Sequence, residues 1–171
     1  EYFRPDMDVL EFGCGTGSTA ITHAPYVKHI QAIDISSKII EIAQGKADAK
    51  NIKNITFKRS SIDEYSVPPQ SLDAVLGLNI LHLLNNRDEV ITRVNKMLKP
   101  GGIFVTSTAC IGDTMGVLKI IVPIGKLFDL ILKVFTTREL EDSLTCAGFG
   151  IDYQWQPVKN AGVFIVAKKV E

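Results

Sequence analysis

The sequence predicts an α/β fold with a doubly wound, mostly parallel sheet and helices on both faces. Short apolar runs rich in β-branched residues alternate along the chain with segments of helical periodicity, which is typical of such sheets. The first run, Val9–Phe12, leads directly into glycines on alternate positions, Gly13, Gly15 and Gly17. The last two runs are joined by a turn too short for a crossover, which predicts an antiparallel pair at one end of the sheet.

Three strands and two helices are predicted in the first third of the chain. One helix follows the glycines from about Thr16 to His23, and Ser36 is placed to cap a second helix with one apolar face. The predicted strands are Asp8–Phe12, Ile30–Ile33 and Ile55–Lys58, and the apolar face of the second helix contains Ile39, Ile40, Ile42 and Ala43.

The rest of the chain continues this alternation. A helix over Arg87–Leu98 is expected to end where Lys99, Pro100 and two glycines follow. Thr136 and Glu139 form a capping box that starts another helix, with Gly148 as its stop. The predicted strands here are Leu72–Leu78, which reads as a central strand buried on both faces, then Ile103–Thr108, Ile151–Gln156 and Gly162–Lys168.

Length and charge indicate one domain without a nucleic-acid surface. The 171 residues, 46% of them hydrophobic, suffice for one core, and 19 basic residues balance 19 acidic ones. No basic block is present, so nucleic acid is a weak candidate partner.

The three cysteines, Cys14, Cys110 and Cys146, fit neither a disulfide framework nor a metal site, which favours a reducing, cytoplasmic location. Because the chain begins at Glu1 within its pattern, we expect further residues upstream.

Candidate binding residues follow the predicted strands. In doubly wound folds the ligand lies outside the carboxyl ends of the strands, and glycine there lets the backbone approach it closely. Asp34 ends the second strand about 20 residues after the glycines, where a carboxylate can accept hydrogen bonds from both hydroxyls of a ribose. The sequence therefore predicts a ligand that contains a nucleoside.

The glycine spacing distinguishes between nucleoside ligands. A dinucleotide fingerprint needs a glycine three residues after Gly15, where Ser18 stands. The G-x-G-x-G pattern, with Glu11 before it and Asp34 behind it, resembles the class I S-adenosylmethionine-dependent methyltransferases. The segments that carry the resemblance occur in family order and spacing and are Val9–Gly17, Ala32–Ser36, Ser71–Val75, Asn79–His82 and Met97–Ile103. The family fold is a seven-stranded sheet of order 3-2-1-4-5-7-6 with strand 7 antiparallel.

The resemblance also implies roles for single residues. Glu11, Gly13, Cys14 and Gly15 would surround the methionine part of S-adenosylmethionine, Cys14 through its backbone and small size, and Asp34 would bind the ribose. The adenine ring would lie against Ile35, and the backbone carbonyl of Asn79 would meet the amino group.

One adenine contact departs from the family. Ser60, Ser61 and Ile62 stand where the family often has Gly-Asp-Ala, so either Ser61 or Asp63 would take the adenine amine.

In the methyltransferases that the chain resembles, insertions at this position commonly cover the pocket of the methyl acceptor, and the resemblance implies this role for an apolar insertion at about 111–135. Pro123 and charged residues interrupt it too often for a transmembrane span, while Lys119, Lys126 and Lys133 recur every seventh residue. The segment therefore predicts lid helices packed on the sheet, a hydrophobic lid over an apolar acceptor, or both, with lysines that can lie at a membrane surface.

The favoured function is transfer of a methyl group from S-adenosylmethionine to a small apolar acceptor by in-line displacement. His82 is the candidate general base, and the alternative for it is a structural histidine among leucines. The alternative function is a non-catalytic S-adenosylmethionine-binding regulatory module. A nicotinamide-dependent reductase is disfavoured by Ser18, and a nucleic-acid amino-methyltransferase by the absence of a Pro-Pro-aromatic triplet after Asn79.

Overall fold

The computed structural model describes residues 2–110, 135–156 and 162–170. Seven strands and four α-helices lie within these ranges, and two short 3-10 turns follow the first helix and the fourth strand. In chain order the elements are β1 Asp8–Phe12, α1 Ser18–His23, β2 His29–Asp34, α2 Ser37–Ala49, β3 Ile55–Arg59, β4 Leu72–Leu78, α3 Arg87–Met97, β5 Leu98–Ala109, α4 Thr137–Cys146, β6 Phe149–Trp155 and β7 Gly162–Lys169.

The described strands form one sheet of order β3-β2-β1-β4-β5-β7-β6. The pairs β1·β2, β1·β4, β2·β3 and β4·β5 are parallel, and β7 runs antiparallel to both β5 and β6. The predicted order and the single reversed strand are therefore confirmed. Because β1 and β4 are neighbours in the middle of the sheet, the loops after them share its carboxyl edge with the loop after β2.

Helices cover the sheet on both sides. On one face α3 and α4 bury Val90, Val94, Leu140 and Leu144 against a core that includes Phe104. On the other face α1 and α2 pack through small residues, Ala20 and Ala47. None of the helices in the described ranges is long and apolar enough to cross a membrane.

The predicted apolar face of α2 is partly wrong. Ala43 and Ala47 are the fully buried positions, Ile39 and Ile40 are half-buried, and Ile42 is 44% exposed. The cause is close packing, because a β-carbon at Gly17 would lie 2.9 Å from the Ala43 side chain. Ala43 and Ala47 therefore form the inward face, and Ile42, which precedes Ala43 by about 100° of helix rotation, lies toward solvent.

The β5 strand begins earlier than predicted. Helix α3 ends at Met97, and β5 starts at Leu98, so the Lys-Pro-Gly-Gly sequence belongs to the strand rather than to a loop. Leu72 pairs with Leu98 and Ala74 with Ile103, so residues 99–102 form a bulge in the β4·β5 ladder. Gly101, with φ 72°, supplies the left-handed backbone that this bulge needs.

The predicted caps are confirmed at two helices. The Ser36 side chain accepts a hydrogen bond from the Ile39 amide, and Thr136 forms a reciprocal capping box with Glu139. The predicted lid lies outside the described residues except for Phe135, which is buried, and the turn between β6 and β7 also lies outside them.

Candidate functional site

The Asp34 carboxylate joins the loops at the carboxyl edge of the sheet. Its Oδ2 accepts a hydrogen bond from the Gly15 amide at 3.1 Å, and its Oδ1 accepts one from the Ser36 amide at 3.0 Å. The Ser60 amide donates to the Asp34 carbonyl oxygen at 3.0 Å. Asp34 therefore fixes the relative positions of the loops after β1, β2 and β3, and each carboxylate oxygen still has a second lone pair.

The three glycines of the first loop have different surroundings. All three have left-handed backbones, with φ of 66°, 52° and 73° at Gly13, Gly15 and Gly17. A β-carbon at Gly13 would lie 2.9 Å from the Ile80 side chain, and one at Gly17 would meet Phe57 at 2.9 Å, whereas one at Gly15 would meet nothing within 4 Å. Gly13 and Gly17 thus serve packing, and Gly15 exposes bare backbone to open space.

Glu11 is a buried carboxylate beneath this loop. It is only 3% exposed, and its Oε2 has no hydrogen-bond partner among the described residues. Burial raises its pKa to about 7, partly offset by hydrogen bonds from the Ala20 backbone and the Thr19 side chain. An unsatisfied buried carboxylate is costly unless a donor or a cation reaches it. Glu11 therefore suits a ligand that carries a positive charge.

Cys14 contributes backbone and volume rather than a reactive thiol. Its amide donates to the Ile33 carbonyl oxygen at 3.0 Å, and the side chain is buried. Burial, together with the negative charges of Glu11 and Asp34, raises the pKa of the thiol to about 12. The thiol therefore stays protonated at neutral pH.

An exposed apolar side chain, Ile35, directly follows Asp34 in the loop after β2. Ile35 is 71% exposed, although its carbonyl oxygen is held by the Arg59 Nε–H at 3.1 Å. It lines a cavity of about 410 Å³ together with Arg59, Ser60, Ser61 and Glu64. The cavity offers one apolar surface and several polar groups, as a heteroaromatic ring requires.

The structure separates the two candidates for the adenine amine. Ser61 lies in the Ile35 cavity and exchanges two hydrogen bonds with Glu64, one through its amide at 3.3 Å and one through its hydroxyl at 3.2 Å. Asp63 instead accepts from the Asn86 side chain at 2.9 Å and lines a separate cavity of about 680 Å³ beside α3. Ile62 is buried in the core, so only its backbone is available at the edge.

Asn79 turns the chain sharply at the end of β4. Its φ is 53°, a left-handed backbone in a residue other than glycine. Ser107 on β5 holds it twice, since the Asn79 amide donates to the Ser107 carbonyl oxygen at 2.7 Å and the Ser107 hydroxyl donates to the Asn79 side-chain oxygen at 3.1 Å. A strained backbone held this firmly is typical of functional sites.

His82 lies in the 3-10 turn that follows Asn79. Its Nδ1 is 3.1 Å from the hydroxyl of Thr108 on β5, and burial lowers its pKa, which favours the neutral imidazole. The next residue, Leu83, is 55% exposed. The turn thus places a neutral imidazole beside an exposed apolar side chain.

Together these residues form a site suited to a cationic nucleoside. Glu11 and Asp34 place two carboxyl groups next to the glycine loop, close enough for both to raise the Cys14 pKa. A ligand with a sulfonium or an ammonium group is favoured there, whereas a pyrophosphate would be repelled. Within the described residues no cluster of three or more His, Cys, Asp or Glu side chains could hold a metal ion.

The sequence reasoning missed the residues that support this site. Arg59 and Glu64 order the Ile35 cavity, and Ser107 and Thr108 hold Asn79 and His82. A signal was present for the β5 pair, because three hydroxyl residues in succession end an apolar strand. No comparable pattern marks Arg59 or Glu64, whose roles depend on the path of the loop after β3.

A family model described as a methyltransferase domain matches residues 3–157. The uncharacterized methyltransferase YcgJ of Bacillus subtilis is 26% identical over 102 residues, which cover 60% of this chain and 40% of that protein. Superposition on the crystal structure of YcgJ covers 99% of this chain and 94% of the YcgJ chain, with a TM-score of 0.82 at 18% sequence identity.

Two further relatives carry names that include a reaction. The demethylmenaquinone methyltransferase of Tropheryma whipplei is 33% identical over 98 residues, covering 57% of this chain and 40% of that protein. The ubiquinone biosynthesis O-methyltransferase of Rickettsia bellii is 31% identical over 103 residues, covering 60% and 42%. The chain thus spans about two fifths of the length of these curated relatives.

Proposed function

Because this chain belongs to the methyltransferase domain family, we propose that it transfers a methyl group from S-adenosylmethionine to a small apolar acceptor. The observation that carries the proposal is the pairing of Asp34 with the exposed backbone of Gly15, next to the unsatisfied carboxyl group of Glu11. These groups match the ribose hydroxyls and the amino group of that cofactor. Ile35 and Ser61 supply an apolar surface and polar groups for its adenine ring.

The residues that hold the cofactor also orient the transfer. S-adenosylmethionine, when bound, supplies a methyl group on a positively charged sulfur. The glycine loop and the Asn79 turn lie on adjacent strands, β1 and β4, and so can enclose the methionine part from two sides. Positioning of this kind accounts for much of the barrier reduction in a displacement that needs aligned reactants and excluded water.

His82 is the proposed general base for acceptors that must lose a proton. Its pKa lies below 6.5 because of burial, so the ring is neutral at pH 7 and can accept a proton. As the methyl group is transferred from the sulfonium to the acceptor oxygen or carbon, the imidazole would take up the proton that this acceptor atom loses. An acceptor that is already nucleophilic needs no such step.

The apolar character of the acceptor is supported by two observations on the chain and by the names of two relatives. The sequence between β5 and α4 is largely apolar, and Leu83 beside His82 is 55% exposed. Two of the relatives are named as a demethylmenaquinone methyltransferase and a ubiquinone biosynthesis O-methyltransferase. A quinone precursor, a polyketide or a lipid-like molecule fits this description better than a peptide or a folded RNA.

Product formation with graded acceptors tests the proposal. The chain is incubated with S-adenosylmethionine and either an apolar dihydroxyarene, an equally acidic but charged phenol, or a short peptide, and S-adenosylhomocysteine is measured. We expect turnover with the apolar arene and little with the other two. Binding of S-adenosylmethionine without turnover on any apolar phenol or acidic carbon would contradict catalysis, and preferential turnover of the peptide would contradict the acceptor class.

A further inference from the structure

Three consecutive hydroxyl residues on β5 bind successive parts of the β4 region. Thr106 donates to the Gly77 carbonyl oxygen at 3.0 Å, within the body of the sheet. Ser107 binds Asn79, and Thr108 binds His82, each at 3.1 Å. The contacts therefore advance along the chain from β4 itself, through the residue after it, to the following turn.

We infer that Ser107 and Thr108 are positioning residues with separate tasks, Ser107 for the cofactor-facing backbone of Asn79 and Thr108 for the imidazole of His82. The inference rests on the proposed function, because it assigns these hydroxyls to the two halves of that site.

The contacts of Ser107 explain how Asn79 keeps an unfavourable backbone. A left-handed conformation is unfavourable for a residue other than glycine, and here φ is 53°. Ser107 offsets this cost with a carbonyl acceptor for the Asn79 amide and a hydroxyl donor for its side chain. With both of these groups engaged, the Asn79 carbonyl oxygen is left as the group to meet the cofactor's amino group.

Thr108 lies on the other face of β5 and is 1% exposed. Successive residues of a strand point to opposite sides, so Thr108 shares the face of Thr106 and of the core that contains Phe104. Its hydroxyl meets Nδ1 of His82, whereas Nε2 has no hydrogen-bond partner among the described residues. We assign the ring proton to Nδ1, donated to Thr108, which leaves the lone pair of Nε2 for the acceptor.

Four variants separate the two tasks. Ser107→Ala and Thr108→Val remove one hydroxyl each, Thr108→Ser restores the second hydroxyl, and Thr106→Val is the matched control because its contact lies within the sheet. The dissociation constant for S-adenosylhomocysteine is measured by calorimetry. The tautomer and pKa of His82 are measured by nitrogen-15 NMR, which requires no turnover, and thermal unfolding verifies that each variant is folded.

We expect Ser107→Ala to weaken S-adenosylhomocysteine binding about threefold to tenfold, the effect of losing one hydrogen bond, and to leave the His82 pKa unchanged. Thr108→Val should lower the His82 pKa, because an acceptor at Nδ1–H favours the imidazolium. It should leave cofactor affinity within about twofold, and Thr108→Ser should restore the pKa. Thr106→Val should change neither quantity.

Each assignment has its own contrary result. Unchanged affinity in Ser107→Ala, or a loss as large in Thr106→Val, overturns the role of Ser107. A raised His82 pKa in Thr108→Val, or an Nε2–H tautomer in the unaltered chain, overturns the role of Thr108. If the unaltered chain does not bind S-adenosylhomocysteine, the proposed function fails together with the Ser107 assignment, while the NMR titration still decides Thr108.

Discussion

Glu11 is the residue whose chemistry depends most on the rest of the site. Its carboxyl group is buried beneath the glycine loop with one oxygen unpartnered, and its pKa is raised by burial from 4.5 to about 7. The hydrogen bonds from the Ala20 backbone and the Thr19 side chain offset this burial only in part and leave Oε2 without a partner among the described residues, whereas an ammonium group of a ligand would compensate it. The folded chain therefore carries a penalty at this position that binding can remove.

Replacement of Glu11 by glutamine tests this penalty through the pH dependence of stability. Because the folded-state pKa is raised, the folded chain binds more protons than the unfolded chain between pH 4.5 and about 7. Stability should fall over that range, by at most about 3 kcal/mol, and stay level above it. Denaturant unfolding should show this fall in the unaltered chain and not in Glu11→Gln.

Glu41→Gln, at an exposed position of α2, serves as control and should keep the fall. An identical pH profile for Glu11→Gln and the unaltered chain would refute the assignment.

Replacement of His82 by alanine tests the proposed base. With an acceptor that must lose a proton, the rate should rise from acid pH with an apparent pKa below 6.5 and then level off, because the imidazole must be neutral. His82→Ala should lower turnover about 10² to 10⁴-fold and remove this acid limb. His29→Ala, on β2 and bonded to Thr56, is the control and should retain both. Full turnover in His82→Ala would leave the histidine a packing role only.

At the scale of single residues, the sequence predicted where the site residues lie relative to the strands better than it predicted which residues surround them. Glu11 lies within β1, Asp34 ends β2 and Asn79 follows β4, as predicted, since the end of a buried apolar run is readable from periodicity. Whether Ser61 or Asp63 lies beside Ile35 was not readable, because it depends on the turn after β3. In that turn the Ser61 hydroxyl accepts a hydrogen bond from the Glu64 amide, while the Asp63 carboxylate accepts one from the Asn86 side chain.

At the scale of elements, α2 and the glycine loop can pack closely because Gly17 has no side chain at their contact. Gly17, with φ 73°, has Ala43 and Phe57 2.9 Å from the position of a β-carbon. Gly45, within α2, has nothing within 4 Å of that position. The two glycines therefore differ in what they contribute, although both belong to the same pair of packed elements.

Alanine substitution at these glycines should have opposite effects. Gly45→Ala should stabilise the chain by about 0.5 to 1 kcal/mol, because alanine loses less backbone entropy in a helix. Gly17→Ala should destabilise it by about 1 to 3 kcal/mol through the left-handed backbone and the overlap with Phe57. Urea unfolding of the two variants measures both effects, and a destabilised Gly45→Ala or a neutral Gly17→Ala would contradict the packing described.

The capping box of α4 gives a second prediction for an element. The Thr136 hydroxyl accepts from the Glu139 amide at 3.2 Å, and the Glu139 carboxylate accepts from the Thr136 amide at 2.7 Å. Thr136→Ala should cost about 1 kcal/mol in the free energy of unfolding. Thr145→Ala removes a hydroxyl in the last turn that only bonds back to the Glu141 carbonyl oxygen, and it should cost a few tenths at most. Equal costs for the two variants would show that the box does not stabilise the helix.

Element boundaries were predictable wherever period and caps agreed. Asp8–Phe12 and Leu72–Leu78 coincide with the predicted strands, and Ser36 and Thr136 cap as expected. The start of β5 was not predictable, because proline and glycine usually end structure and here form a bulge that keeps Leu98 paired with Leu72. Only the neighbouring strand determines which of these outcomes a Pro-Gly-Gly sequence takes.

At the scale of the whole molecule, the sheet order determines which loops can share a ligand. Strands β1, β2 and β4 are adjacent, so the glycine loop, Asp34 and Asn79 meet at one edge although 62 to 66 residues separate the glycines from Asn79. The family match extends over residues 3–157 and thus includes every part of this edge. The central claim is accordingly that this edge binds S-adenosylmethionine, with Asp34 on its ribose.

Calorimetric titration of S-adenosylhomocysteine into the chain and into Asp34→Ala tests that claim most directly. Asp48→Ala is the control, since Asp48 is an exposed carboxylate on α2 bonded only to Gln44 in the described structure. Loss of charge-assisted hydrogen bonds to the ribose, and of the support that Asp34 gives Gly15, should weaken binding by at least about tenfold. The unaltered chain and Asp48→Ala should bind alike. Equal affinity in Asp34→Ala, or no binding to the unaltered chain, would contradict the account.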